Sequence, residues 1–92
     1  GNSILKLLGL LPNGNVVSMD RIFSVEDFGA IVRARRKELG YSQHQLADFC
    51  GCGTRFISDL ENGKDTIQLG KALDVAAMLG LNAYLASREG IK

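Results

Sequence analysis

The most regular apolar spacing in the chain begins at Phe28 and continues through Ile31, Val32 and Leu39, with charged and small residues between. Such intervals keep side chains on one side of a helix with 3.6 residues per turn. Ser24 stands just before this stripe with Asp27 three residues on, close to a capping box, and Phe23 with Phe28 holds the two positions of a hydrophobic staple. Gly40 supplies a natural stop, so the pattern predicts a helix from about Val25 to Leu39. A second helix follows Ser42, a candidate N-cap, with Leu46, Ala47 and Cys50 inward, and Gly51 ends it after about two turns. A third, roughly Thr54 to Glu61, turns Ile57 and Leu60 inward and leaves Thr54, Arg55, Ser58 and Asp59 outward, before a stop at Asn62 and Gly63. Thr66 is the candidate cap of a fourth helix from about Ile67 or Gln68 to Leu79. Its apolar residues Leu69, Ala72, Leu73, Val75, Ala76, Ala77, Met78 and Leu79 cover more circumference than one buried face needs, which predicts a second surface packed on it.

Past Gly80 the period changes. Leu81, Ala83 and Leu85 alternate with Asn82, Tyr84 and Ala86, the period-2 pattern of a strand. A lone strand leaves its backbone donors and acceptors unpaired, and the same strand of a second subunit is the simplest partner. At the other end, Asn2 to Leu11 reads as a short apolar helix or strand, Pro12 to Asn15 as a turn, and Val16 to Phe23 as extended chain. Met19 is a candidate alternative start, and Gly1 a candidate non-native remnant. The expected division is an N-terminal extension over 1–18, a helical domain over 19–80, and a dimerisation strand and tail over 81–92.

Ninety-two residues, 46% hydrophobic and 23% charged, suit one small globular domain near the lower limit for folding alone, so help from a partner subunit is expected. The longest apolar-rich stretch, Ile4 to Leu11, is interrupted by Lys6 and falls far short of the roughly 20 residues of a membrane span. It lacks a basic leader and a small-residue cleavage site, so the expected location is the cytoplasm, with no membrane partner. A net charge of +1 gives no reason to suspect nucleic acid, but Arg33, Arg35, Arg36 and Lys37 cluster on the first helix and Arg55 and Lys64 flank the third, a local basic pattern compatible with DNA.

The only histidine, His44, and both cysteines, Cys50 and Cys52, lie within nine residues. A metal site normally needs three or four converging ligands, yet His44 falls on the outer side of the second helix while Cys50 points inward, so no metal or cofactor is expected. Cys50 reads as a small core hydrophobe. No Ser/His/acid arrangement or phosphate-binding glycine loop is present, and an enzyme is not expected.

Two short helices around a tight glycine turn, inside a bundle of four or five, have the layout of a helix-turn-helix. Ala47 permits the close crossing and Gly51 the left-handed turn. The stretch "SQHQLADFCGCGTRFISDLENGK" resembles the helix-turn-helix of the phage-repressor/Cro (Xre) family, which combines a Gln-x-x-Leu-Ala helix, a Gly turn and a recognition helix ending in Glu-Asn-Gly. The resemblance spans about Asp27 to Leu81. More narrowly, "GAIVRARRKELGYSQHQLA", "RFISDLENGK" and "LGLNAYL" resemble HipB-type antitoxins, small autoregulating repressors whose C-terminal strand pairs across a dimer and whose partner is a HipA-like kinase toxin.

This resemblance implies an all-α, lambda-repressor-like bundle of four to five helices with a C-terminal strand, here carried by Leu81, Ala83, Tyr84 and Leu85, paired across a homodimer. It implies that Gln43 contacts the DNA backbone and braces the recognition helix, that Thr54, Arg55 and Asp59 reach base edges with Ser58 on the same face, and that Asn62 and Lys64 contact the backbone. Arg55 is the strongest base reader, because Arg binds guanine O6 and N7 bidentately. Arg36 and Glu61 match a pair tying the first helix to the end of the recognition helix. Gly53 stands where Ser or Thr usually caps that helix; it is a weaker cap that lets backbone N–H groups approach phosphate. Phe56 replaces the usual small residue, and contact with a thymine methyl, with the N-terminal segment or with another protein all stand open. Asp59 can accept from cytosine N4 but repels phosphate. The implied function is repression of a palindromic operator in double-stranded DNA, as the antitoxin of a toxin-antitoxin operon. The alternative is a protein-interaction module that docks a toxin or other partner without binding DNA.

Overall fold

The computed structural model describes residues 6–10 and 16–88. Four helices follow a short hairpin: β1 (Lys6–Leu10), β2 (Val16–Asp20), α1 (Val25–Glu38), α2 (Gln43–Cys50), α3 (Thr54–Glu61) and α4 (Leu69–Met78). The strands pair antiparallel, with Lys6 opposite Asp20 and Leu10 opposite Val16. Pairing thus decides the helix-or-strand alternative left open for the first apolar stretch, and adds a sheet to the all-helical expectation. β2 crosses the expected boundary between residues 18 and 19. The turn expected at Pro12 to Asn15 lies outside the described residues, as does the end of the expected tail. No helix among the described residues is long and apolar enough to cross a membrane.

Local chemistry starts and stops each helix. Ser24 Oγ accepts from Asp27 N at 3.1 Å while Asp27 Oδ2 accepts from Phe23 N at 2.8 Å, so two free donors at the start of α1 are satisfied reciprocally. Phe23 stays 72% exposed, however, and the staple adds little burial. α2 has a full capping box: Ser42 Oγ accepts from Gln45 N and Gln45 Oε1 accepts from Ser42 N. It ends at Gly51, whose φ of 68° is left-handed, with Cys52 N donating to Ala47 O across the turn. The expected Thr66 cap is not used: the chain turns from Lys64 to Ile67, where Ile67 N donates to Lys64 O, and Gln68 becomes the N-cap of α4 without a side-chain bond.

Val32, Leu46, Ala47, Ile57, Leu60, Ala72, Val75 and Leu79 form one buried cluster, with Phe28, Tyr41, Cys50, Cys52, Phe56, Ile67 and Leu81 packed around it. Leu39, expected in the buried stripe, is exposed because it is the C-cap of α1, where the chain has already turned away. Burial of α1 instead uses Gly29 and Arg36. A Cβ on Gly29 would fall well inside contact distance of the Leu60 carbonyl oxygen and 2.9 Å from that of Glu61, so α1 and the end of α3 touch backbone to backbone. α4 buries Ala72, Val75 and Ala76, with its C-cap Leu79, and leaves Leu69, Leu73 and Met78 exposed, Met78 sharing a shallow depression with Phe49 of α2. This is the surplus apolar surface that the sequence indicates. Beyond α4, Leu81 N donates to Ala76 O, and residues 81–88 run outside any helix or strand of the single chain, with Ala83, Tyr84 and Leu85 exposed.

Candidate nucleic-acid interface

The outer face of α3 is set by what its inner face is locked to. Ile57 and Leu60 are fully buried, and Glu61 joins them although it is charged. Its carboxylate takes Arg36 Nε on Oε2 at 2.6 Å and Arg36 Nη2 on Oε1 at 2.9 Å, a bidentate pair between α1 and α3 with both residues below a tenth exposed. Arg36 Nη1 donates to Tyr41 O at 2.8 Å, fixing the α1–α2 connection to the same guanidinium. The hydrogen bond with Glu61 raises the Arg36 pKa, outweighing the lowering by burial, and the carboxylate charge adds to the rise. Gln43, the first residue of α2, donates from Nε2 to Glu61 Oε1 at 3.1 Å. One carboxylate therefore gathers the three helices, and no buried side-chain N or O among the described residues lacks a partner.

With 57, 60 and 61 inward, helical geometry turns 54, 55, 58, 59 and 62 toward solvent or its edge. Gly53 is the exposed N-cap of α3 and has no side chain to engage the first N–H groups. Thr54 follows, its Oγ1 lying 3.4 Å from Nδ1 of His44 on α2, so the N-terminal turns of the two helices meet on one surface. The Arg55 side chain is 86% exposed and donates from Nε to Asp59 Oδ1 at 3.2 Å. Lys64 Nζ reaches the other oxygen of Asp59 at 3.4 Å. Burial would raise the Asp59 carboxyl, but the Arg55 hydrogen bond and the positive charges of Lys64 and Arg55 outweigh it and hold the group below its ordinary value. Asn62 Nδ2 lies 3.4 Å from Ser58 Oγ at the far end of the same face.

The cluster on α1 is not a basic surface in the sense its spacing suggests. Arg36 is buried on Glu61, and Arg35 donates from Nε to Leu79 O at 2.9 Å, closing the C-terminus of α4, while its Nη1 pairs with Glu38. Of the four residues, Arg33 and Lys37 are left on the exposed surface. Phe56 is half-buried against the core with Lys71 Nζ 5.9 Å from its ring centroid, so it faces α4 and not the outer side of α3. His44 is exposed and lies 3.5 Å from Asp48, whereas Cys50 and Cys52 are half-buried free thiols lining a separate depression with Phe56, Lys71 and Asp74. No group of three or more metal-binding side chains is assembled among the described residues. Burial pushes the Cys50 thiol up, with Cys52 and Asp74 adding to the effect.

Gly29 and Tyr41 contribute to this framework with no role expected of them from sequence, and Arg35, expected as part of a basic cluster, contributes by holding Leu79 O instead. A glycine inside a helical pattern was the available signal for the first. A backbone acceptor such as Tyr41 O carries none.

The helix-turn-helix family profile matches residues 32–84, more than half of the chain. The chain belongs to the Xre-type helix-turn-helix family. As a helix-turn-helix regulator it is 52% identical over 60 residues to the "Uncharacterized HTH-type transcriptional regulator y4mF" of Sinorhizobium fredii (strain NBRC 101917 / NGR234), covering 65% of this chain and 79% of that one. Its fold matches the protein of a structure described as "HipB-O4 20mer complex" with a TM-score of 0.70, at 24% identity, over 77% of this chain and 100% of that one. The same TM-score and identity relate it to a chain of "Structure of HipA-HipB-O2-O3 complex". The restriction-modification controller protein C.AhdI from Aeromonas hydrophila matches with a TM-score of 0.56 at 28% identity, over 63% of this chain and 84% of that one. In this helix-turn-helix, α2 and α3 are the paired helices, and α3 occupies the place of the recognition helix.

Proposed function

We propose that this regulator is a sequence-specific DNA-binding repressor that acts as a homodimer on a palindromic operator and controls its own operon. The observation that carries the reading is the outward, largely free Arg55 at the start of α3, on a helix whose rear is fixed by Ile57, Leu60 and the Arg36–Glu61 pair. Thr54 and Arg55 are the base-contacting residues, with Ser58 and Asp59 on the same face. Gly53 N–H, Gln43, Asn62 and Lys64 hold phosphates on either side. Gln43 suits both roles assigned to it, because its amide already braces Glu61. The alternating residues Leu81, Ala83, Tyr84 and Leu85, the last three of them exposed, form a strand by pairing with the same segment of a second copy, and the surplus apolar face of α4 packs beside it.

The likeness to a chain solved with HipA supports a HipA-like kinase toxin as further partner, making this protein an antitoxin. A toxin bound away from α3 would add affinity by joining dimers on DNA. The exposed Phe49, Leu69, Leu73 and Met78 also fit a second reading, a module that docks a protein partner without binding DNA. Footprinting on DNA upstream of the protein's own gene separates the two. Two protected half-sites about 34 Å apart are expected for repressor dimers; absence of protection at micromolar protein favours docking alone.

A further inference from the structure

Asp59 is an acid in the middle of a face that would meet polyanionic DNA, and its surroundings define what it can do there. Its two oxygens are engaged separately, Oδ1 by Arg55 Nε and Oδ2 by Lys64 Nζ. Its side chain is 23% exposed against 86% for Arg55, so the guanidinium projects beyond the carboxylate that holds it. An arginine has five N–H donors in a rigid fork. Occupation of Nε leaves the four on the Nη atoms, which among the described residues have no acceptor, and these suffice for a bidentate contact with the O6 and N7 edge of guanine.

Resting on the DNA-binding reading above, we propose that Asp59 is a positioning residue that aims Arg55 at a guanine and penalises DNA lacking one, and does not itself read a base. Anchoring Nε fixes the otherwise flexible side chain, so less freedom is lost when the Nη pair binds. Anchoring also keeps Arg55 from folding back onto a phosphate, where it would add affinity without discrimination. The negative charge acts in the same direction. On the correct sequence its repulsion of phosphate is offset by the Arg55–guanine contact; on any other sequence the repulsion stands alone, and discrimination rises because the wrong complex is weakened. Lys64 completes the arrangement, since its ammonium holds the second oxygen of Asp59 and has further N–H donors for a phosphate. Direct readout of cytosine by Asp59 would require its largely covered carboxylate to reach past the far more exposed Arg55 guanidinium.

The test starts from randomised double-stranded DNA from which the full-length wild-type protein selects its preferred site. Binding is then measured for wild type, R55A, D59A and R55A/D59A on that site, on all single-base variants of it and on random duplex. R55A should flatten the preference at one symmetric pair of guanines, by about 5- to 150-fold. D59A should flatten the same position by at least about fivefold, tighten binding to random duplex, and steepen the salt dependence by about one to two counterions per dimer. The double variant should lose no more discrimination than R55A alone, the non-additivity expected when one residue acts through another. D59N, which keeps shape and one acceptor but removes the charge, provides the same test should D59A fail to fold; it should tighten random-duplex binding while losing part of the guanine preference. An unchanged preference in both Asp59 variants, additive losses, or loss of preference at a cytosine elsewhere in the site would overturn the proposal while leaving DNA binding intact. If the wild-type protein enriches no sequence, the DNA reading itself falls, and the role of Asp59 with it.

Discussion

Replacing Arg36 by Ala removes the charge on which α1, α2 and α3 converge. Three hydrogen bonds disappear together, two from Glu61 and one from the Tyr41 carbonyl, and Glu61 keeps only Gln43 Nε2. The Glu61 side chain is 2% exposed, so water does not readily replace the guanidinium. Removing one partner of such a pair costs about 3–5 kcal/mol, dominated by the orphaned charge, and loss of the Arg stem adds to it. A small domain has about 5–15 kcal/mol in all. R36A should therefore remain folded only marginally, with its urea midpoint, followed by circular dichroism, lowered by about 2–3 M for an m-value near 1.5 kcal/mol/M. The double replacement R36M/E61M should lie closer to wild type than R36A, because it leaves no unpaired charge. A loss below about 1 kcal/mol in R36A, or a double variant less stable than R36A, would refute the assignment of the pair as the junction of the three helices.

Other consequences can be measured separately. Gly29→Ala should lower Tm by about 5–15 °C despite the gain in helix propensity, since its Cβ meets the backbone of Leu60 and Glu61, which cannot rotate aside; an unchanged Tm in calorimetry would contradict the close crossing. The raised Cys50 thiol should react with iodoacetamide at pH 7 more slowly than a free thiol of pKa about 8.5, as read by peptide mass spectrometry, and equal rates would contradict its burial. Asp59 has its folded pKa depressed, so its ion pairs add stability above the unfolded carboxylate pKa of about 3.9 and lose it as pH falls through the lower folded value. A carbon-detected NMR titration of its carboxyl should give a midpoint below about 3.9, and one at or above that value would show that Arg55 and Lys64 do not hold it.

The first three helices were legible because each has a start or stop that local chemistry enforces, whereas the start of α4 lacks a side-chain cap. Ser24, Ser42, Gly51 and Gly63 act within a few residues of themselves, and the inward positions of α2 and α3 follow from helical period. The errors arise where distant chain intervenes. Leu39 has the right period for α1 but stands where the chain leaves the helix, and Arg35 counts as surface charge until Leu79 arrives from α4, whereas the Arg36–Glu61 pair is indicated by the family resemblance and not by charge spacing. Gly29 stands out as a glycine inside a helical pattern, but the backbone it touches belongs to the end of α3. The hairpin depends on the pairing of β1 with β2, a relation invisible in Lys6–Leu10 alone. At the candidate interface, sequence pattern indicated the outward residues, but only side-chain geometry turned Phe56 toward α4 and placed Asp59 between Arg55 and Lys64.

Binding of DNA by the α3 face through phosphates as well as bases makes affinity depend steeply on salt. A dimer contacting about 6–10 phosphates should lose about 10³- to 10⁵-fold in affinity for its own upstream DNA between 50 and 200 mM salt, with a slope of log K against log salt of about −5 to −9. Binding that is undetectable at 50 mM, or that does not change across this range, would contradict DNA binding by the α3 face.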